Sequence, residues 1–79
     1  MLRWFVRCHD AIRRQFDLVI LWPACKKAVD LAIEEQGLTI SDDEALERAK
    51  GAFAVHCFND GPWQRLGERR INEIIEELT

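Results

Sequence analysis

Between Leu2 and Val19 the apolar side chains return at three- and four-residue steps: Leu2, Phe5, Cys8 with His9, Ile12, Phe16 and Val19. That is the period of a helix. It predicts a first helix from about residue 2 to about residue 21, with this stripe turned to a core. Arg3, Arg7, Asp10, Arg13, Arg14 and Asp17 fall mostly off the stripe, toward solvent. Leu18–Trp22 is apolar all round and would also suit a short buried strand. We read it as helix, because nothing else in the chain offers a good strand partner.

Pro23 interrupts the pattern. Proline is tolerated in the first turn of a helix and disfavoured inside one, so Trp22-Pro23 predicts a tight corner or a kink. Cys25, Ala28, Val29, Ala32, Ile33 and Gln36 mark a second stripe, and Gly37 followed by Leu38 reads as a glycine-terminated helix end with a hydrophobic latch. Ser41-Asp-Asp-Glu44 is a capping box, with acidic residues placed to suit the helix dipole. From it a third helix carries Ala45, Leu46, Ala49, Ala52, Phe53, His56 and Cys57 inward and stops at Asn59-Asp-Gly-Pro62. The last segment shows Trp63 and Leu66, then Ile71, Ile74, Ile75 and Leu78, with Gly67 as a point of division. These elements predict an all-α fold: one domain over residues 1–79, a compact bundle of about four helices joined by short loops.

A 79-residue chain buries only roughly 60–65% of the surface its unfolded form exposes, so its core is marginal. Seven aromatic residues, three Trp and four Phe, leave apolar surface for a partner. Charge divides the chain. Residues 1–30 hold six basic and three acidic side chains, whereas residues 31–79 hold five basic and eleven acidic ones. Such opposite-signed parts suit intramolecular or head-to-tail pairing and argue against a uniformly basic nucleic-acid protein.

Three cysteines is an odd count, which fits a reducing cytoplasm better than a secreted disulfide framework. No run approaches the ~18 apolar residues of a membrane span. The apolar run Leu18–Cys25 loosely resembles a lipoprotein cleavage box. However, Trp22 and Pro23 occupy positions where such boxes carry Leu and a small residue, and Asp10 and Asp17 lie in the segment before it.

The chemistry-bearing residues are Cys8-His9, Cys25 and His56-Cys57. Zinc sites use spaced pairs, whereas adjacent side chains on a helix point about 100° apart and rarely reach one ion. Both cysteines of these pairs lie on apolar stripes, so they read as small core residues, and His56 reads as a boundary histidine with a hydrogen-bond partner. No metal and no cofactor is expected. Ser41 is the only serine, and it is taken by the cap; there is no tyrosine and no glycine-rich phosphate loop. The expectation is a non-enzyme.

Binding surfaces remain. In a helix-turn-helix the third helix would meet phosphate with an acidic first turn, so nucleic acid is disfavoured. The basic N-terminal half keeps a small nucleic-acid regulator as the alternative. Trp4 with Arg3 and Arg7, and Trp63 with Arg65, combine the residue types enriched at protein interfaces. Ile71, Ile75 and Leu78 form the tightest stripe, flanked by Arg69, Arg70, Glu73, Glu76 and Glu77, and are the candidate dimer face. The reading is a small cytoplasmic protein-binding module acting by stoichiometric contact with a larger protein. By class analogy this includes the phage and mobile-element inhibitors of host defence, anti-CRISPR proteins among them.

Overall fold

A computed structural model of the chain describes residues 2–79. Helices α1 (Leu2–Phe16), α2 (Trp22–Glu35), α3 (Asp42–Phe58), α4 (Gly61–Gln64) and α5 (Glu68–Glu77) follow in order, with a π turn over Asp17–Leu21 between the first two. No strand occurs among the described residues, and Leu18–Trp22 is helical. The fold is an all-α bundle with short loops.

Of the corner or kink expected at Pro23, the corner is absent. α1, the π turn and α2 contribute 15, 5 and 14 residues to one unbroken spine. At 1.5 Å per residue a straight helix of that length spans about 50 Å. The molecule measures 52 × 21 × 18 Å, so the spine accounts for its long axis. The π turn explains how the chain passes a proline. The Trp22 amide donates to the Asp17 carbonyl five residues back, and this wide turn immediately precedes the ring of Pro23. A widened turn tolerates a residue that neither donates a hydrogen bond nor fits under a tight preceding one.

The remaining helix ends follow their local chemistry. α2 closes with the Gly37 amide on the Glu34 carbonyl and the Leu38 amide on the Ile33 carbonyl, with Gly37 at φ 67°. This is the paired closure for which glycine is favoured. Ser41 Oγ accepts the Glu44 amide at 3.2 Å and starts α3. The second half of the capping box gives way to a different pairing, because the Glu44 carboxylate lies 3.5 Å from Arg48. Gly67, at φ 101° and ψ 148°, turns the chain between α4 and α5.

The core forms where α3 and α4 meet the spine, with α5 packed on α3. Trp22, Ala49, Phe53, Cys57, Trp63 and Ile71 are buried, and Leu18, Leu21, Cys25, Val29, Leu46, Leu66, Ile74, Ile75 and Leu78 pack around them. Phe53 is the centre. Trp63 meets it edge-on at 6.0 Å and Trp22 tilts against it at 5.5 Å, the arrangements aromatic quadrupoles favour.

Candidate functional site: the two faces of α1

The first stripe lies the opposite way from the sequence expectation. Leu2, Phe5, Ile12, Phe16 and Val19 are exposed, and the residue that α1 buries is Asp10, with Asp17 buried just beyond it. Burying two carboxylates and leaving an apolar stripe in water requires strong partners on the inner face. They are present.

Arg65, just after α4, clasps Asp10 with two hydrogen bonds, Nε to Oδ2 at 2.6 Å and Nη2 to Oδ1 at 2.9 Å. This fork-to-fork geometry is the strongest that a guanidinium and a carboxylate can adopt. It holds the Asp10 carboxyl below its ordinary range despite its burial. At Asp17, Oδ2 accepts from Trp63 Nε1 at 2.8 Å and meets His56 Nε2 at 2.9 Å, while Oδ1 lies 3.5 Å from Arg13 Nε. Burial pushes the Asp17 pKa up, but the hydrogen bonds from His56 and Trp63 and the Arg13 charge together bring it below the usual value. Arg13 also reaches Asp60 Oδ1 at 2.9 Å, and Arg14 donates to the Pro62 carbonyl at 2.7 Å. The inner face of α1 is thus a polar clamp onto α3, α4 and the loop between them.

Asp17, His56 and Asp60 place three donor atoms within 4.8 Å of one another. The Arg13 guanidinium bridges the two aspartates and already supplies the positive charge there. No cysteine joins either histidine in a comparable cluster among the described residues. Cys57 is fully buried, Cys25 is half-buried with its thiol 3.6 Å from the Ala49 carbonyl, and Cys8 is half-buried on α1. His9 is exposed.

The residues expected to face a partner separate into two groups. Trp4 is 70% exposed and stands with Arg3 and Arg7 on the free end of α1. Trp63 is 0% exposed and Ile71 1%, so both belong to the core, and Trp22 is buried as well. The rule that a Trp at a helix end stays partly open fails here because each indole N–H finds an acceptor. For Trp63 it is Asp17, and for Trp22 it is the Thr79 carbonyl at 3.3 Å. Ile75 and Leu78 are half-buried against the same core. The α5 stripe therefore packs against α3 and is not a free dimer face. Arg65 is spent on Asp10, although half of its side chain remains in solvent.

What the sequence reading missed is a notch of about 860 Å³ under the free end of α1, lined by Leu2, Arg3, Val6, Arg7, Asp10, Ala11, Arg14, Arg65 and Leu66. Its floor is apolar. Four arginines surround it, against a single aspartate that one of them already neutralises. The i, i+4 spacing of Arg3 and Arg7 was a visible signal, but Arg65 joins them only through the fold.

No family model matches the chain, and neither a curated protein nor a solved structure matches it. No helix among the described residues is long and apolar enough to cross a membrane.

Proposed function

We propose that this chain is a small, non-enzymatic, cytoplasmic protein-binding module that works by stoichiometric contact with a larger protein. An inhibitor of the kind phages and mobile elements encode against host defence is the concrete version. The observation that carries the reading is the notch beneath α1, where an apolar floor is rimmed by Arg3, Arg7, Arg14 and Arg65. Arginine is among the residues enriched at interface hot spots, and the notch sets four of them around its floor. The excess of positive charge selects an acidic segment with one or two apolar side chains. A pull-down from host extract tests it. Wild-type protein should retain one partner at near-equal stoichiometry, and an Arg3→Glu/Arg7→Glu variant should lose it. Equal retention by both would refute the notch as the contact.

One observation favours a second reading. Arg3 and Arg7, which make no ion pair among the described residues, would suit phosphate, which keeps a nucleic-acid regulator as the alternative. Titration with duplex DNA separates the two: a regulator binds with a steep dependence on salt, and a protein-binding module does not bind.

A further inference from the structure

The spine carries charge of the unfavourable sign at both of its ends. Peptide dipoles make a helix positive at its N-terminus and negative at its C-terminus, so acids suit the first turn and bases the last. Here α1 holds Arg3 and no acid in its first turn, with Arg7 one turn further on, and α2 ends in Glu34-Glu35 with no base in its last turn. All four side chains are exposed, and none makes an ion pair among the described residues.

The two poles also differ in form. At the α1 pole no residue from 2 to 9 is buried, and this free stretch of helix overhangs the notch, whose floor includes Leu2, Val6 and Leu66. Arg3 and Arg7 line that notch, and the single aspartate there, Asp10, is taken by Arg65. At the other pole the chain turns at Gly37 out of α2 toward α3. Residues 28–47 around this turn carry seven acidic side chains and no basic one, while Lys26 and Lys27 lie back toward the middle of the spine. Leu38, next to the turn, is 42% exposed. An acidic tip with an apolar side chain is the chemistry that the notch selects.

We propose that the notch of one copy of this chain receives the α2–α3 tip of another, head to tail. Along the helical spine Arg7 and Glu34 stand about 40 Å apart, so a tip cannot reach its own notch. In the contact Glu34 and Glu35 of one copy meet Arg3 and Arg7 of the next, and Leu38 lies on the apolar floor. Each pole thereby gains the opposite charge that its own helix lacks, and the negative end of one spine meets the positive end of the next. Two different patches make the contact, so every copy added still offers a free notch or a free tip. The assembly is an open chain, not a closed dimer. The inference rests on the reading of the notch as a protein-binding site and names an occupant for it. A larger partner with a similar acidic segment would compete with the next copy, so assembly sets how much free notch is on offer.

Sedimentation equilibrium at loadings from about 1 to 500 μM tests the contact. The average mass should climb past twice the 9.2 kDa chain mass with loading, and fall back in about 1 M salt, where charges are screened beyond ~3 Å. The Arg3→Glu/Arg7→Glu and Glu34→Lys/Glu35→Lys variants should each stay at 9.2 kDa. Both changes place the favourable sign at their helix end, so helical circular dichroism should be retained. An equimolar mixture of the two variants should assemble again, because the reversed poles attract. A single 9.2 kDa wild-type species at every loading, an assembly that stops at a dimer, or a mixture that stays monomeric overturns the proposal. The two readings of the notch fail separately. A monomeric wild type whose capture of a host protein still needs Arg3 and Arg7 would sink the head-to-tail contact alone. Assembly as expected, with the host protein still retained by Arg3→Glu/Arg7→Glu, would support the contact and refute the notch as the host protein's site.

Discussion

Asp10 and Asp17 stand two helical turns apart on the same side of the spine, both buried, and each is held by a residue at or beside α4: Arg65 for the first and Trp63 for the second. This pairing decides which way α1 faces. Rotating the helix to bury Phe5, Ile12 and Phe16 would release both carboxylates from their donors. It would also leave the Trp63 indole N–H unpaired in the core. Unsatisfied buried polar groups cost about 1–3 kcal/mol each, and more when charged. The clamp therefore competes well with burial of the stripe.

Asp17→Ala tests the clamp at its deeper end. The substitution strips the acceptor from Trp63 Nε1 and from His56, and leaves Arg13 with Asp60 alone. Urea denaturation followed by circular dichroism should show a loss of about 2–3 kcal/mol. A loss below about 0.5 kcal/mol would mean that the spine is positioned by apolar packing and that Asp17 is incidental.

Acid should loosen the same clamp. Both carboxyls are depressed below the 3.8 of a free aspartate when folded. A depressed carboxyl contributes stability that is present above its unfolded pKa and lost as pH falls through the folded one. The urea midpoint should therefore hold between about pH 7 and 5 and fall below about pH 4. In an Asp10→Asn/Asp17→Asn variant, already weaker at neutral pH, the drop below pH 4 should be shallower. An identical acid limb in both proteins would place the acid sensitivity elsewhere.

Much of the fold was legible because local chemistry decided it. Ser41, Gly37 and the Asn59–Pro62 break set their helix ends as expected, and Phe53 and Cys57 went inward with α3. The errors have separate causes. Apolar periodicity reports that a face is apolar, and the reading assumed that this chain's core must cover it. Leu2, Phe5 and Ile12 show that assumption failing. Pro23 marked the boundary at the start of α2, but of the corner or kink it predicted the corner is absent, because a π turn upstream absorbs the proline. The clamp was hidden for a third reason. Asp10 and Arg65 are 55 residues apart, and no local pattern relates them.

The capping contact gives a smaller, cleaner test. Ser41→Ala removes the acceptor of the Glu44 amide at an exposed helix start, where water takes over part of the role. The expected cost is about 1 kcal/mol, the usual value for a lost N-cap. No change in urea midpoint would mean that the acidic first turn, Asp42–Glu44, fixes the start of α3 unaided.

Gly67 carries a backbone constraint. Its φ of 101° with ψ of 148° is a region essentially reserved for glycine, and a Cβ there would meet no neighbouring atom within 4 Å. Any cost of Gly67→Ala is therefore strain and not collision, about 1–3 kcal/mol. It should appear as a lower thermal midpoint with native helix content. A neutral result would show that the α4–α5 turn relaxes into an ordinary conformation.

The thiols offer a test that also bears on the metal question. Cys57 is fully buried, and burial, followed by the charges of Asp17 and Asp60, pushes its pKa up to about 12. Burial raises Cys25 as well, by itself. Only the thiolate attacks a disulfide reagent, and it must be reachable. At about pH 8 the native protein should react at Cys8, more slowly at Cys25, and not at Cys57 until denaturant is added. Purified without chelator, it should carry no stoichiometric zinc, because no cysteine clusters with a histidine among the described residues. Rapid native labelling of Cys57, or one equivalent of zinc lost on Cys57→Ser, would contradict the assignment of this residue to the packed core. It would also mean that α3 opens away from Asp17 far more readily than its hydrogen bonds imply.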